Sequence, residues 1–231
     1  MSLSDAASPA TNPPPGGDCP PCGRRAQRRA ERRAAIVDVA YRSFLEQGYA
    51  ATSMSGIAAA LGGSKGTLWN YFASKELLFA AVMDRGAQTF QANIARELTG
   101  PGEMEDILRR FARAFLRKIT SPEGVSLYRM IVAEAGRFPE LGRIFQERAI
   151  GRTRAVLSGY LAGAMAAGRL RTGDPLRAAY ELLGLCTIGT QQLLLMGQIE
   201  CAAPDVLEAE GGAAVALFLR AYAPAVADAD V

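Results

Sequence analysis

The 231 residues contain no histidine, the side chain most often used as a general base and as a metal ligand. A Ser-His-Asp or Cys-His catalytic arrangement is therefore impossible, and so is a zinc site built on His. Four cysteines are present. Cys19 and Cys22 form a Cys-Pro-Pro-Cys in a Pro/Gly-rich stretch. This is half of a metal site, with no second pair or His to complete it, and it lacks the strand–helix context of a thiol redox motif. Cys186 and Cys201 lie in or near an apolar stretch. No paired-carboxylate motif stands out. The sequence points away from an enzyme and calls for no cofactor or metal, and it leaves thiol chemistry at Cys19 and Cys22 open.

Charge is more informative. The formal net charge is +3, but it is unevenly spread. Residues 1–23 carry only Asp5 and Asp18, residues 24–85 carry ten Lys/Arg against five Asp/Glu, and residues 86–231 carry sixteen of each. All of the positive excess lies in one segment, the electrostatic footprint expected for a polyanion partner. With 49% hydrophobic and 21% charged residues, the chain has the profile of a soluble globular protein. Its length allows one large or two small domains. Residues 1–23 show neither the positive start nor the apolar run of a secretory leader. The longest apolar stretch, Leu182 to Ile199, is interrupted by Thr187, Thr190, Gln191 and Gln192, whereas a membrane span needs about 20 predominantly apolar residues. The expectation is a cytoplasmic protein with no membrane partner.

The elements that would position these charges read as helices throughout. Residues 1–23, rich in Pro, Gly, Ser and Ala, cannot bury enough surface to offset the entropy of ordering, and read as a disordered tail. The basic run Arg24–Arg33 then leads into a helix over about 27–47, where Ile36, Val37, Ala40, Tyr41, Phe44 and Leu45 recur at helical spacing. Gly48 suits the position just past its end. Thr52 or Ser53 can cap a short helix to Leu61, Gly62-Gly63 breaks it, and Ser64 caps a second short helix over 65–72. Ser74 caps a fourth, which Gly100-Pro101-Gly102 ends. A fifth runs over about 103–120 and a short sixth ends near Gly136. Pro139 starts a seventh that continues to about Ala167. Pro175 opens an eighth, to about Gly197, and a ninth spans about 205–222. The fold class is all-α, with about nine helices. The domains are a tail over 1–23, a DNA-binding unit over 24–85 and a larger helical domain over 86–231.

Two short helices across a tight Gly-containing turn are the signature of a helix-turn-helix, whose second helix enters the major groove of DNA. Leu68 and Phe72 can bury against Ile57, Ala58 and Leu61. The other residues of the second helix suit a polyanion. Lys65 can neutralise a phosphate, and Gly66 lets the backbone approach closely. Thr67 can meet a base edge or a thymine methyl, and Asn70 can read adenine. Trp69 and Tyr71 can donate to phosphate oxygens. Lys75 can meet a phosphate near the next helix's N-terminal amides. Ser53 and Ser64 sit at the two helix starts, and Arg28 and Arg32 lie in the basic arm.

Residues 34–83 resemble the N-terminal domain of the TetR family. The resemblance rests on Gly48-Tyr49-Ala50-Ala51-Thr52-Ser53, on Ile57-Ala58, and above all on Ser64-Lys65-Gly66-Thr67-Leu68 followed by Tyr71-Phe72 and Ser74-Lys75-Glu76. The sequence departs from the family at Gly63, where Val is usual, at Trp69, where Tyr is usual, and at Gly56, where an acidic residue is common. Residues 130–141, from Met130 to Leu141, are similar to a run in AefR-like members.

The resemblance implies that residues from about 86 onward sense a ligand and dimerise. Phe111, Phe115, Tyr128, Met130, Phe138, Phe145 and Met165 lie on the helices that would surround a cavity, and such side chains adapt to irregular apolar ligands. Glu134, if buried, could pair with a cationic ligand or an arginine; if exposed, it is an ordinary surface acid. The apolar helix over 175–197 must be buried on more than one side. Leu182, Leu185, Ile188 and Leu193 on it, with Leu217 and Phe218 on the last helix, are the candidate homodimer contacts. Two-fold pairing would present two reading helices to a palindromic operator.

The leading expectation is thus a DNA-binding regulator, a repressor released by a small apolar or amphiphilic ligand. The competing readings are a regulator switched by redox chemistry at Cys19 and Cys22, and a helical binding module that does not touch DNA. Replacing Lys65 by Ala should weaken binding to all duplexes and lower the slope of log K against log salt by about one unit. Salt titration of duplex affinity measures this, and an unchanged slope would count against Lys65 as a phosphate contact.

Overall fold

The computed structural model describes residues 21–62 and 65–224. Among them every regular element is helical: α1 (Pro21–Ala51), α2 (Met54–Ala60), α3 (Lys65–Trp69), α4 (Lys75–Thr99), α5 (Met104–Ile119), α6 (Pro122–Glu134), α7 (Pro139–Phe145), a π turn (Gln146–Ile150), α8 (Gly151–Ala166), α9 (Pro175–Cys186), α10 (Thr190–Leu195) and α11 (Pro204–Ala221). Helix α7, the π turn and α8 run on without a break, which gives the long helix that the sequence suggests after Pro139.

The chain divides into two compact units, Met1–Ala35 and Ile36–Val231. In the first, α1 begins at Pro21, ahead of the expected start near Gln27, and carries the basic run Arg24–Arg33 on largely exposed turns. Residues 1–20, including Cys19, lie outside the described residues.

In the second unit the helix ends follow local rules. Ser53, Ser74, Ser121 and Asp174 each accept a hydrogen bond from a backbone amide in the first turn of α2, α4, α6 and α9. This satisfies donors that a helix start leaves orphaned. Prolines occupy the first turns of α6, α7, α9 and α11, where their missing N–H costs nothing. Helix α5 has Glu105 and Asp106 in its first turn and Arg117 and Lys118 in its last, the polarity that its dipole favours.

Two apolar clusters organise this unit. One joins α4, α5, α8, α9 and α11 around Leu108, Phe111, Leu161, Leu182 and Phe218. The other joins α1–α4 around Phe44, Tyr49, Leu68, Phe72 and Phe79, and it extends into α6 and α7 through Met130, Ile131, Leu141 and Ile144. The core beneath the short helices is therefore shared with the body of the protein.

The expected single helix over 175–197 is two. Helix α9 stops at Cys186, and α10 is pinned at both ends by other elements. Glu210 on α11 accepts hydrogen bonds from the Thr190 amide at 2.8 Å and from the Thr190 hydroxyl at 2.7 Å. The Arg129 guanidinium on α6 donates to the carbonyls of Leu194 and Leu195. A Cβ at Gly189 would overlap the Glu210 carboxylate, so a larger residue there would displace that carboxylate from Thr190.

Phe111 is fully buried and stacks in parallel on Phe115, with centroids 6.3 Å apart. Phe111→Ala should cost about 3–5 kcal/mol of unfolding free energy, read from the shift in a urea or guanidinium midpoint.

Candidate nucleic-acid interface and cavity

Helix α1 breaks at Gly48, which adopts φ 80 and ψ 169. L-residues with a Cβ rarely adopt this conformation. Thr52, expected to compete for the next cap, turns inward instead. It is buried, and its hydroxyl donates to the carbonyls of Ser43 at 3.0 Å and Gly48 at 2.7 Å. Ser53 takes the cap of α2, its oxygen 3.0 Å from the Gly56 amide. Gly62 turns the chain with φ 63.

The second short helix, α3, ends at Trp69 rather than at Phe72. Tyr71 and Phe72 close it as a turn, both amides donating to the Leu68 carbonyl at 3.0 Å. Leu68 and Phe72 are buried in the shared core, as their spacing requires, while Trp69 and Asn70 are exposed and Thr67 and Tyr71 are half-buried. A Cβ at Gly66 would meet nothing within 4 Å. Packing among the described residues therefore does not require glycine there, and the bare backbone is open to a partner. Ser64 and the side chain of Lys65 lie outside the described residues.

Lys75 is not disposed as the sequence suggests. Its ammonium donates to the carbonyls of Tyr49 at 2.8 Å and Thr52 at 3.0 Å, and lies 4.2 Å from the centre of the Tyr49 ring. An ammonium so engaged is turned into the protein and away from a phosphate. Burial lowers its pKa, and Glu76, Glu134 and Glu140 oppose that shift. Glu134, for which the sequence offers a cationic ligand or an arginine as partner, is likewise turned to the backbone. Its carboxylate accepts the amides of Tyr49 at 2.8 Å and Ala50 at 2.6 Å.

A cavity of about 670 Å³ lies within residues 36–191. Helices α1 and α4 to α10 and the π turn contribute to its wall. Of the expected ligand contacts, Phe115, Tyr128 and Phe145 line it, and Tyr128 meets Phe145 edge-on with centroids 5.9 Å apart. Phe111, Met130, Glu134, Phe138 and Met165 do not. Phe111 and Met165 are committed to the larger cluster, while Met130 and Phe138 belong to the core of the short helices. The sequence reading missed Tyr41, Phe90, Gln146, Arg154 and Tyr180, all in the wall. The spacing marks Tyr41 only as a periodic core position; burial, with Glu123 nearby, raises its phenol pKa. Arg154 stacks over Tyr180 at 4.3 Å. Asp38 and Arg85, both on the wall, form an ion pair at 2.6 Å. Helix α4 is also tied to the π turn and α8, since Asp84 accepts from Arg148 at 2.6 Å and forms an ion pair with Arg152 at 2.9 Å.

The expected dimer residues fall into two groups. Leu182 and Phe218 are fully buried within the protomer, and half-buried Leu185 packs on the same cluster. A side chain spent on its own core has no surface left to offer a second copy. Ile188, Leu193 and Leu217 are exposed, as are Leu176, Tyr180, Met196 and Val206.

These features define an all-α helix-turn-helix protein with a cavity in its helical body. Residues 36–82 match the model of bacterial regulatory proteins of the tetR family, and residues 106–224 match that of the AefR-like transcriptional repressor C-terminal domain. A TetR-family transcriptional regulator from Mesorhizobium loti MAFF303099 superposes with a TM-score of 0.76 at 30% identity, covering 85% of this chain and 98% of that one. The flavonoid-responsive regulator FrrA superposes with a TM-score of 0.72 at 35% identity, covering 85% and 100%. The transcriptional activator FasR of Mycolicibacterium smegmatis is 33% identical over 104 residues, 44% of this chain and 45% of that protein. The chain thus spans less than half the length of the curated relatives it matches. The chain belongs to the TetR family of DNA-binding transcriptional regulators, which are not enzymes. Among the described residues no helix is long and apolar enough to cross a membrane.

Cys186 is buried, and burial pushes its thiol pKa up to about 12, with the Glu210 carboxylate adding to the shift. The thiolate is the reactive form, so Cys186 should be inert at neutral pH while exposed Cys201 reacts. Iodoacetamide treatment of the native protein at pH 8, read by peptide mass spectrometry, should label Cys201 and spare Cys186.

Proposed function

We propose that this chain is a ligand-responsive repressor, cytoplasmic and homodimeric, which leaves a palindromic operator when a small apolar or amphiphilic molecule fills the cavity. The observation that carries the reading is that α4 walls the cavity from Val82 to Phe90 and begins at Lys75, directly after the reading turn. A ligand that moves α4 therefore moves the reading helix. Half-sites recur at one helical turn of DNA, about 34–36 Å. A displacement of a few Å in a dimer is then enough to lose register, and a coupling of about 1–3 kcal/mol changes occupancy substantially.

Gly66, Thr67, Trp69, Asn70 and Tyr71 would face DNA, joined by Ser53, Ser64 and Lys65 at the helix starts and by Arg28 and Arg32 from the arm. The exposed apolar residues of α9, α10 and α11 favour pairing through that face. FrrA responds to flavonoids by its name. The aromatic wall of Phe90, Phe115 and Phe145, with Tyr41, Tyr128 and Gln146 between, suits a ligand of that aromatic, hydroxylated kind.

The test begins with the duplexes that the purified protein captures from genomic fragments. They should share a two-fold sequence, and the flavonoid quercetin should lower affinity for them at least tenfold. Ala149→Phe, which sets a phenyl ring in the cavity wall, should leave duplex affinity within about threefold and remove the quercetin effect. Captured sites without two-fold symmetry, or release that survives Ala149→Phe, would contradict the reading.

A further inference from the structure

We infer that Glu134 and Lys75 are positioning residues for DNA reading, gripping from two sides the turn from which the helix-turn-helix starts. The inference rests on the chain being a DNA-binding regulator and does not depend on any effector.

Where α1 breaks at Gly48, the amides of Tyr49 and Ala50 begin a new turn and lack the partners that a continuous helix would supply. The Glu134 carboxylate, at the last residue of α6, accepts both of them, at 2.8 and 2.6 Å. Lys75, the first residue of α4, takes the outward carbonyls of the same turn, Tyr49 at 2.8 Å and Thr52 at 3.0 Å. The ring of Tyr49 is held between Phe44, Phe79 and Phe138, with centroids 5.3–5.5 Å away. The turn is thus held by its own Thr52 hydroxyl, which reaches Ser43 and Gly48, and by these two side chains from other helices. Gly48 is matched to the grip: a Cβ there would fall 2.6 Å from Glu134 Oε1. Ser53 follows at once and caps α2, so the setting of this turn is the setting of α2 and, through Gly62, of α3.

Glu134 also anchors its own end of α6. Its backbone carbonyl accepts the amides of Arg137 and Phe138 at 2.9 Å each. One residue thus joins the α6–α7 corner to the start of the reading unit. Its role depends on charge and reach, because each oxygen receives an N–H. A glutamine of the same shape would keep one acceptor and set an amide N–H against the other backbone donor.

The test uses the full chain and duplexes that the wild type selects from a random pool. Glu134→Gln should fold and bind those duplexes about tenfold more weakly, with the salt slope unchanged. Loss of a negative charge near a basic segment should by itself strengthen DNA binding. Affinity equal to or tighter than wild type would therefore overturn the proposal. Lys75→Met keeps the apolar stem over Tyr49 and loses both hydrogen bonds. It should weaken binding several-fold at constant slope, and a slope lower by about one unit would instead make Lys75 a phosphate contact and overturn its assignment. If Glu134→Gln does not fold, hydrogen exchange of the wild type decides: the Tyr49 and Ala50 amides should be protected, and exchange at the rate of an open peptide would overturn the grip.

Discussion

A helix of five residues does not stand by itself in water, and α3 is that short. What holds it is the burial of Leu68 and Phe72 in a core that includes Ile57 and Ala58 from α2, Phe44 from α1 and Phe79 from α4. Trp69 and Asn70 are left exposed because these two are inside. The same core takes in Met130 and Ile131 of α6 and Leu141 and Ile144 of α7. The surface offered to DNA is thereby continuous in packing with the helices that carry the cavity, and a boundary drawn at residue 85 is a boundary of chemistry rather than of packing.

Helix α4 has obligations at both ends. Near its start Leu78 and Phe79 are buried in the reading core. Further on, Gly86, Thr89 and Phe90 face the cavity, and Ile94 and Leu98 belong to the larger cluster. Asp84 lies between, paired with Arg148 of the π turn and Arg152 of α8. These half-exposed ion pairs add little stability on their own, but their direction matters. They join the helix nearest the reading turn to the π turn and α8, so the spacing of those elements is set in part by charge.

Much of this was legible in the sequence, and the split follows the range of the forces involved. Capping serines, first-turn prolines and the inward pair Leu68 and Phe72 depend on neighbours within a few positions, and their spacing shows them. Lys75 is not legible, because its type and its place at a helix start suit a phosphate, whereas its partners are carbonyls at Tyr49 and Thr52, more than twenty positions away. Glu134 stands out in the sequence only as a polar residue in an apolar run, since its partners lie more than eighty positions away. The break between α9 and α10 has no strong local signal: Thr187 and Gly189 are tolerated in helices, and Glu210, which stabilises the new start, sits on another element. The cavity was half legible. Met130 and Phe138 are the right kind of side chain for it, but the fold assigns them to the other core.

The π turn between α7 and α8 gives the cavity an unusual wall. An i→i+5 turn winds more slowly than the 3.6-residue turn on either side of it. Positions four apart, which drift around a plain α-helix, are kept in line here. Phe145, Ala149 and Thr153 form one row along the cavity, and Gln146, Ile150 and Arg154 form a second beside it. Thr153 ends the row begun by Phe145 and Ala149, and Ile150 stands between Gln146 and Arg154 in the other, so each row mixes apolar and polar side chains. Exchange of single side chains alters the texture of one row and leaves the alignment intact. A change of helix length at this point would throw both rows out of phase at once, so the wall is more tolerant of substitution than of insertion or deletion.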